Sequence, residues 1–146
     1  MKASVFYRIA AGLLLLLDLG HTSGFPWSDP AWGVDLTSMR STHFDIMGSS
    51  RTYWDFYLGF GLFNSAILLL AVVLAWQLGG LPAEILARMR GTAWMFALCF
   101  AAITVVSWRY LFVLPIAFSI VTTLCLTAAA WLSAKQASIP PLRQEK

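Results

Sequence analysis

Three uncharged runs restrict what this chain can fold into. They cover residues 56–83, 91–108 and 110–134, which makes them 28, 18 and 25 residues long. A transmembrane helix needs about 20 mostly apolar residues, whereas strands in globular proteins are usually only about 3–10 residues long. Each run therefore predicts one membrane-spanning helix, and the sequence indicates an integral membrane protein.

The N-terminal segment is a fourth and weaker candidate for a membrane span. Only residues 9–17 lie between Arg8 and Asp18. Extension to residues 3–20 gives a spanning length if the Arg8 side chain reaches back to the headgroups. A cleaved signal peptide is the alternative, because basic residues precede a short apolar stretch. The immediate Asp18, with no small-residue cleavage site after it, favours a retained helix.

The composition fits a single integral membrane domain over residues 1–146. Hydrophobic residues make up 59% of the chain and charged residues 12%, with a mean hydropathy of +0.72. This composition excludes a large soluble enzyme domain beside the membrane part. We predict an all-α four-helix transmembrane bundle in which a long non-cytoplasmic loop, residues 21–55, joins the first two helices. The helices are expected at about 3–20, 56–77, 92–109 and 111–133.

The basic residues predict the orientation of the bundle. With both termini in the cytoplasm, seven of the ten lysines and arginines lie on the inner side, as the positive-inside rule requires. The outer side then carries Arg40, Arg51 and Arg109, together with both histidines and five of the seven acidic residues. Polar chemistry is therefore expected at the outer ends of the helices.

Asp18 and His21 form the first candidate site. Their spacing of three residues puts them on one face of a helix that continues through Gly20. A carboxylate beside a histidine suits general acid–base chemistry, so both residues are candidates for a catalytic pair. The alternative is that Asp18 lies in water at the membrane interface and has no functional role.

The segment RTYWDFYLGFGLFN, residues 51–64, is the second candidate. Arg51 and Asp55 are four residues apart and are expected to pair, with Asp55 as the second catalytic carboxylate. The candidate ligand-binding residues here are Arg51 itself and, in a pocket beneath the pair, Trp54, Tyr57 and Asn64. The alternative is an aromatic anchor at the membrane interface with a structural ion pair.

The tight turn between the last two helices adds Trp108 and Arg109 as ligand-binding candidates. Arg109 either approaches Asp18 or Asp55 or faces the lipid headgroups. Under the first alternative, five ionisable groups converge at the outer mouth of the bundle: Asp18, His21, Arg51, Asp55 and Arg109. No metal-binding spacing is present, no cofactor is expected, and the scattered basic residues give no sign of nucleic-acid binding.

Six segments of the chain can be compared with known families: MKASVFYRIA, LGHTSGFPWSDPAWGVD, SMRSTHFDIMG, RTYWDFYLGFG, WQLGGLPAEILARMRGTAW and ALCFAAITVVSWRYLF. Together they resemble a family of small bacterial four-helix membrane proteins. The resemblance implies a bacterial cytoplasmic membrane protein but no function. The layout is also similar to the sterol-isomerase and sigma-2-receptor (EXPERA) superfamily, which holds lipophilic amines or sterols among carboxylates and aromatic side chains. That similarity implies that Asp18 and Asp55 are the paired carboxylates.

The predicted function is binding of a lipophilic small molecule, of isoprenoid or sterol type, with isomerisation or cyclisation of that molecule left open. A structural or accessory subunit of a membrane complex is the rival prediction. A homo-oligomer or a membrane-protein partner stays open in either case. A channel or transporter is disfavoured because the inner halves of the predicted helices hold few polar residues.

Overall fold

The computed structural model describes residues 2–136 apart from 26, 28, 31 and 32. Six helices and two short strands lie within those residues. They are α1 (Ala3–Gly24), α2 (Leu36–Ser41), β1 (His43–Ile46), β2 (Ser49–Thr52), α3 (Tyr53–Leu78), α4 (Ala83–Arg88), α5 (Arg90–Tyr110) and α6 (Val113–Gln136).

Four of the helices, α1, α3, α5 and α6, are long and apolar enough to cross a membrane. This confirms the predicted number and order of spans and indicates an integral membrane protein. Every end lies within four residues of its predicted position. The largest difference is at α1, which continues through the polar residues His21 to Gly24.

The segment between α1 and α3 is partly folded, so the long loop predicted over 21–55 is not confirmed, and a small sheet is present beside the predicted helices. It contains α2 and a two-stranded antiparallel hairpin, in which Ile46 pairs with Ser49. Met47 and Gly48 form the turn with φ of 50° and 78°, which is typical of a type I′ hairpin turn. The sequence did not predict this hairpin because Met-Gly lacks the usual Asn-Gly signal and each strand has only four residues.

The long helices pack as a row in the order α3, α1, α6, α5. α1 packs extensively on both α3 and α6, and α5 packs chiefly on α6. Among the described residues, α3 and α5 share no extensive contact of the kind that would close a ring of four helices. α1 and α6 are therefore the central pair, and the lateral faces of α3 and α5 are lined by exposed apolar side chains.

Small side chains make this close packing feasible. The buried faces are rich in alanine, including Ala10, Ala11, Ala75, Ala129 and Ala130. Membrane helices approach each other closely where such small residues meet, and hydroxyl groups often add a hydrogen bond across the contact. Thr104 and Thr123 provide one between α5 and α6, with 3.0 Å between their hydroxyl oxygens. Cys99 and Cys125 are both free thiols.

Candidate functional site

A polar network joins the C-terminal end of α1 to the N-terminal part of α3. The two helices are connected there by residues 25–52, the hairpin segment, which contains β1 and β2. Asp18, on α1, is buried, with 8% of its surface exposed. The Thr22 hydroxyl, one helical turn further on, donates to Asp18 Oδ1 at 3.3 Å. The same hydroxyl oxygen lies 2.8 Å from Ser65 Oγ on α3. Asp18 is thus connected to the neighbouring helix through two hydroxyl groups.

The direction of these hydrogen bonds follows from counting protons. Thr22 and Ser65 carry one hydroxyl proton each. When Asp18 is ionised, Thr22 donates to the carboxylate and Ser65 donates to Thr22. The remaining contact, from Ser65 Oγ to the Gly61 carbonyl at 3.4 Å, is the longest of the set and then lacks a proton. The network therefore ends on Asp18 as its acceptor.

His21 also contacts α3, but it does not contact Asp18 by a hydrogen bond. Its Nε2 lies 3.1 Å from the Gly61 carbonyl oxygen. A carbonyl oxygen only accepts, so Nε2 carries a proton and donates it to Gly61. The expected Asp18–His21 pair is therefore replaced by two separate links from α1 to α3, in which Thr22 is the partner of Asp18.

Gly61 lies in close contact with the residue that follows α1. The Phe25 ring lies directly against it, and a Cβ at position 61 would overlap that ring. His21 stacks on the same phenyl ring, with 5.2 Å between centroids and 19° between planes. The absence of a side chain at Gly61 therefore allows both the ring contact and the histidine hydrogen bond to form.

Aromatic contacts extend the site towards the segment between α1 and α3. Phe25 meets Tyr57 edge to face at 5.1 Å, and Tyr57 contacts Trp54 at 5.3 Å. The Arg40 guanidinium lies 4.4 Å above the Trp54 ring and forms an ion pair with Asp29. The predicted residues Trp54 and Tyr57 thus connect to His21 through Phe25.

Asp55 and Arg51 do not form the predicted helical ion pair. Arg51 lies in β2 and donates to the Ser50 carbonyl at 2.8 Å. Asp55 closes a capping box at the start of α3, because its Oδ2 accepts from the Thr52 backbone N–H at 2.8 Å. Thr52 Oγ1 in turn accepts from the Asp55 backbone N–H at 3.1 Å. The prediction was wrong because α3 begins at Tyr53, so the two residues share no helix.

The remaining candidates lie apart from this network. Trp108 is 74% exposed, and the exposed Arg109 lies 5.2 Å from the ring centroid of its neighbour Tyr110. In the part of the chain that the structure describes, Arg109 forms no ion pair with Asp18 or Asp55. Asn64 shares its helical face with the buried Leu68, Ala71 and Ala75, yet it is exposed. The expected convergence of five charged groups is therefore not observed.

The sequence pattern identified Asp18, His21, Trp54 and Tyr57 but missed the residues that link them. Thr22 and Ser65 could have been found as hydroxyl residues one turn after Asp18 and Gly61. Phe25 is one turn after His21, so it was also within reach of the same reasoning. No group of three or more potential metal ligands occurs among the described residues.

The site offers an acceptor rather than a metal centre. Asp18 receives one hydrogen bond from a neutral hydroxyl and has no basic partner within ion-pair distance among the described residues. It lies in the C-terminal half of α1, one helical turn from His21, which stacks on the Phe25 ring. No family model, curated protein or solved structure matches the chain, so its function has to be inferred from these residues.

Proposed function

We propose that this protein binds a lipophilic small molecule whose polar group is an amine or a hydroxyl. The observation that carries the proposal is the buried Asp18 carboxylate, which lies on a membrane-spanning helix without a cationic partner among the described residues. A donor group on the ligand would provide that partner. Isomerisation or cyclisation of the bound molecule would extend the same proposal.

The energetic argument rests on the cost of a carboxylate in a membrane. Insertion scales put that cost at about 2.5–3.5 kcal/mol at the centre of a helix, and less towards its ends. Asp18 accepts one hydrogen bond, from Thr22 on the same helix, and no second donor contacts its carboxylate among the described residues. Thr22 therefore leaves much of the cost uncompensated, and a ligand that donates to Asp18 would reduce it.

The aromatic residues fit the same ligand class. Phe25 and Tyr57 form the ring contacts nearest the network, and Trp54 continues them. Ring faces attract ammonium groups and also present apolar surface to a hydrocarbon body. The similarity of the layout to the EXPERA superfamily supports the proposal, since its members hold lipophilic amines or sterols. In this proposal Asp18 is the anchoring carboxylate.

We also propose an orientation in a bacterial cytoplasmic membrane. With both termini inside, the hairpin segment and the Asp18 network lie on the outer side. The support is the distribution of lysine and arginine, which favours the inner side seven to three. A lipophilic ligand would then reach the site from the outer leaflet.

The test is mass spectrometry of lipophiles that remain bound to the purified protein. The wild type should retain one discrete species at least tenfold above its share of the bulk membrane extract. Asp18→Asn keeps the shape of the side chain and removes its charge, so it should lose that enrichment. Asp45→Asn is the matched control, because Asp45 is exposed in β1 and should leave retention unchanged.

Equal retention by the wild type and Asp18→Asn would reject the ligand proposal. One observation favours an accessory subunit as the second candidate. Asn64 exposes a carboxamide within a span, and such groups hydrogen-bond to neighbouring helices in membranes. That candidate requires a partner protein or a second copy that co-purifies with the wild type and is lost in Asn64→Leu.

A further inference from the structure

Two cavities flank Arg8 at the end of the helices opposite to the Asp18 network. The larger measures about 510 Å³ and lies against Arg8, Leu74, Trp76, Gln77, Leu81 and Met89, among others. The smaller, of about 430 Å³, lies among Ser4, Ile9 and Gly79 and also borders Arg8. A single guanidinium therefore borders two openings whose other walls are mainly apolar.

The Arg8 side chain packs closely against its neighbours, but one of its hydrogen-bond donors has no partner among the described residues. Its guanidinium carbon lies 3.6 Å from the centroid of the Trp76 ring. Gly79 and Gly80 make room for it, since a Cβ at either position would lie 3.2–3.4 Å from Arg8 atoms. The Nη1 nitrogen is buried and has no hydrogen-bond partner in the described part of the chain. The Arg8 guanidinium thus borders both openings, and one of its nitrogens has no acceptor among the described residues.

No carboxylate of the described residues forms an ion pair with Arg8. The one ion pair among the described residues joins Arg40 to Asp29, in the segment beyond the opposite end of α1. The carbonyl groups at the end of α3 supply only a partial negative charge, which falls off within one turn. Burial of an arginine N–H without an acceptor is costly, so the arrangement is expected to have an anionic occupant.

We propose that Arg8 binds the phosphate of an anionic membrane phospholipid. A guanidinium matches phosphate oxygens with two parallel hydrogen bonds, and basic pockets between membrane helices are typical headgroup sites. The apolar walls formed by Leu74, Leu81 and Met89 suit the glycerol and the first acyl carbons. Arg8 lies level with the end of α3, beside Gly79, and a membrane-spanning helix is expected to end near the headgroups. This site is independent of the ligand proposed for Asp18.

The test is native mass spectrometry of the full chain in detergent with added lipid. Phosphatidylglycerol and phosphatidylcholine with identical acyl chains are titrated separately. The wild type should bind one phosphatidylglycerol with a Kd at least tenfold below that for phosphatidylcholine. Arg8→Gln should remove this preference. Arg88→Gln is the control, because Arg88 is an exposed arginine in the neighbouring α4 and should keep the preference.

Arg8→Lys separates binding geometry from folding. Lysine retains the charge but not the planar fork, so the preference should fall several-fold without vanishing. If Arg8→Gln does not fold, Arg8→Lys becomes the deciding variant. An unchanged preference of Arg8→Lys for phosphatidylglycerol over phosphatidylcholine would then reject the site. A preference that survives in a folded Arg8→Gln would reject it as well. Displacement of phosphatidylglycerol by 10 mM inorganic phosphate would identify a free-anion site instead and overturn the headgroup assignment.

Discussion

At the scale of single residues, Gly61 determines how α1 and α3 meet. Its carbonyl accepts a hydrogen bond from His21, and the Phe25 ring occupies the space that a side chain at position 61 would fill. Gly59 lies two residues earlier in the same helix, and a Cβ there would meet nothing within 4 Å. The two glycines therefore differ in surroundings although they share a helix and a residue type.

Gly61→Ala should be less stable than Gly59→Ala by about 1–3 kcal/mol, the usual cost of an overpacked contact. Both variants gain the same helix propensity, about 1 kcal/mol, so it cancels in the comparison. Unfolding of the purified variants in mixed micelles measures the difference. Equal stability would mean that the Phe25 ring packs equally well against an alanine at position 61, and the proposed role of Gly61 would be wrong.

Local sequence patterns identified the ionisable residues but not their partners. Asp18 and His21 stood out because charge is rare in an apolar segment. Their hydrogen bonds go to Thr22 and to the Gly61 carbonyl, which carry no charge and leave little trace in a sequence. Asp55 was assigned to catalysis for the same reason, although a carboxylate three residues after Thr52 also fits a capping box.

At the scale of elements, the α1–α3 pair is connected by the hydrogen bond between Thr22 and Ser65. The contact spans 43 positions in sequence and joins the C-terminal half of α1 to the first half of α3. Gly61 and Phe25 lie beside it. The pair therefore combines close packing with a specific polar link, as membrane helices commonly do.

Thr22→Val and Ser65→Ala test this link as a double-mutant cycle. Each change removes one hydroxyl and keeps most of the side-chain shape. Coupling between the two should be about 0.6 kcal/mol, with about 1.7 kcal/mol as the upper end for membrane proteins. Free energies of unfolding for the four proteins give the value. Strictly additive effects would show that the two hydroxyls do not interact.

Element boundaries were predictable where hydrophobicity alone sets them. Three of the four spans follow from long uncharged runs, because a bilayer fixes the length of an apolar helix. The span in α1 follows from the shorter apolar stretch between Arg8 and Asp18. The hairpin between α1 and α3 did not follow, since Met47 adopts a positive φ that non-glycine residues rarely adopt. The tertiary setting, rather than local preference, determines that turn.

At the scale of the whole molecule, the four long helices lie in the order α3, α1, α6, α5, so that α1 and α6 each have two neighbours and α3 and α5 have one. The Asp18 network lies at one end of the α1–α3 pair and Arg8 lies at the other. The order of helices in the row could not be read from the sequence, because every span is apolar enough to pack on any other. The polar links and the alanine-rich faces distinguish the neighbours.

The orientation of this row is open to a direct labelling test. Met47→Cys and Glu84→Cys place thiols at exposed positions in the hairpin turn and in α4. Both are made in a background without Cys99 and Cys125. A membrane-impermeant maleimide should label position 47 in intact cells and position 84 only after the membrane is opened. The reverse result would move the Asp18 network to the cytoplasmic side.

The central position of α1 and α6 also affects the order in which the helices can pack during synthesis. α1 leaves the ribosome first, whereas α6 begins about 90 residues later. At about 5–20 residues per second, α1 waits on the order of ten seconds for its second neighbour. During that interval Tyr7, which is buried beside Ser133 in the finished protein, has no cover from α6. A chain released before α6 is made leaves this face open to the factors that recognise and degrade unassembled membrane proteins.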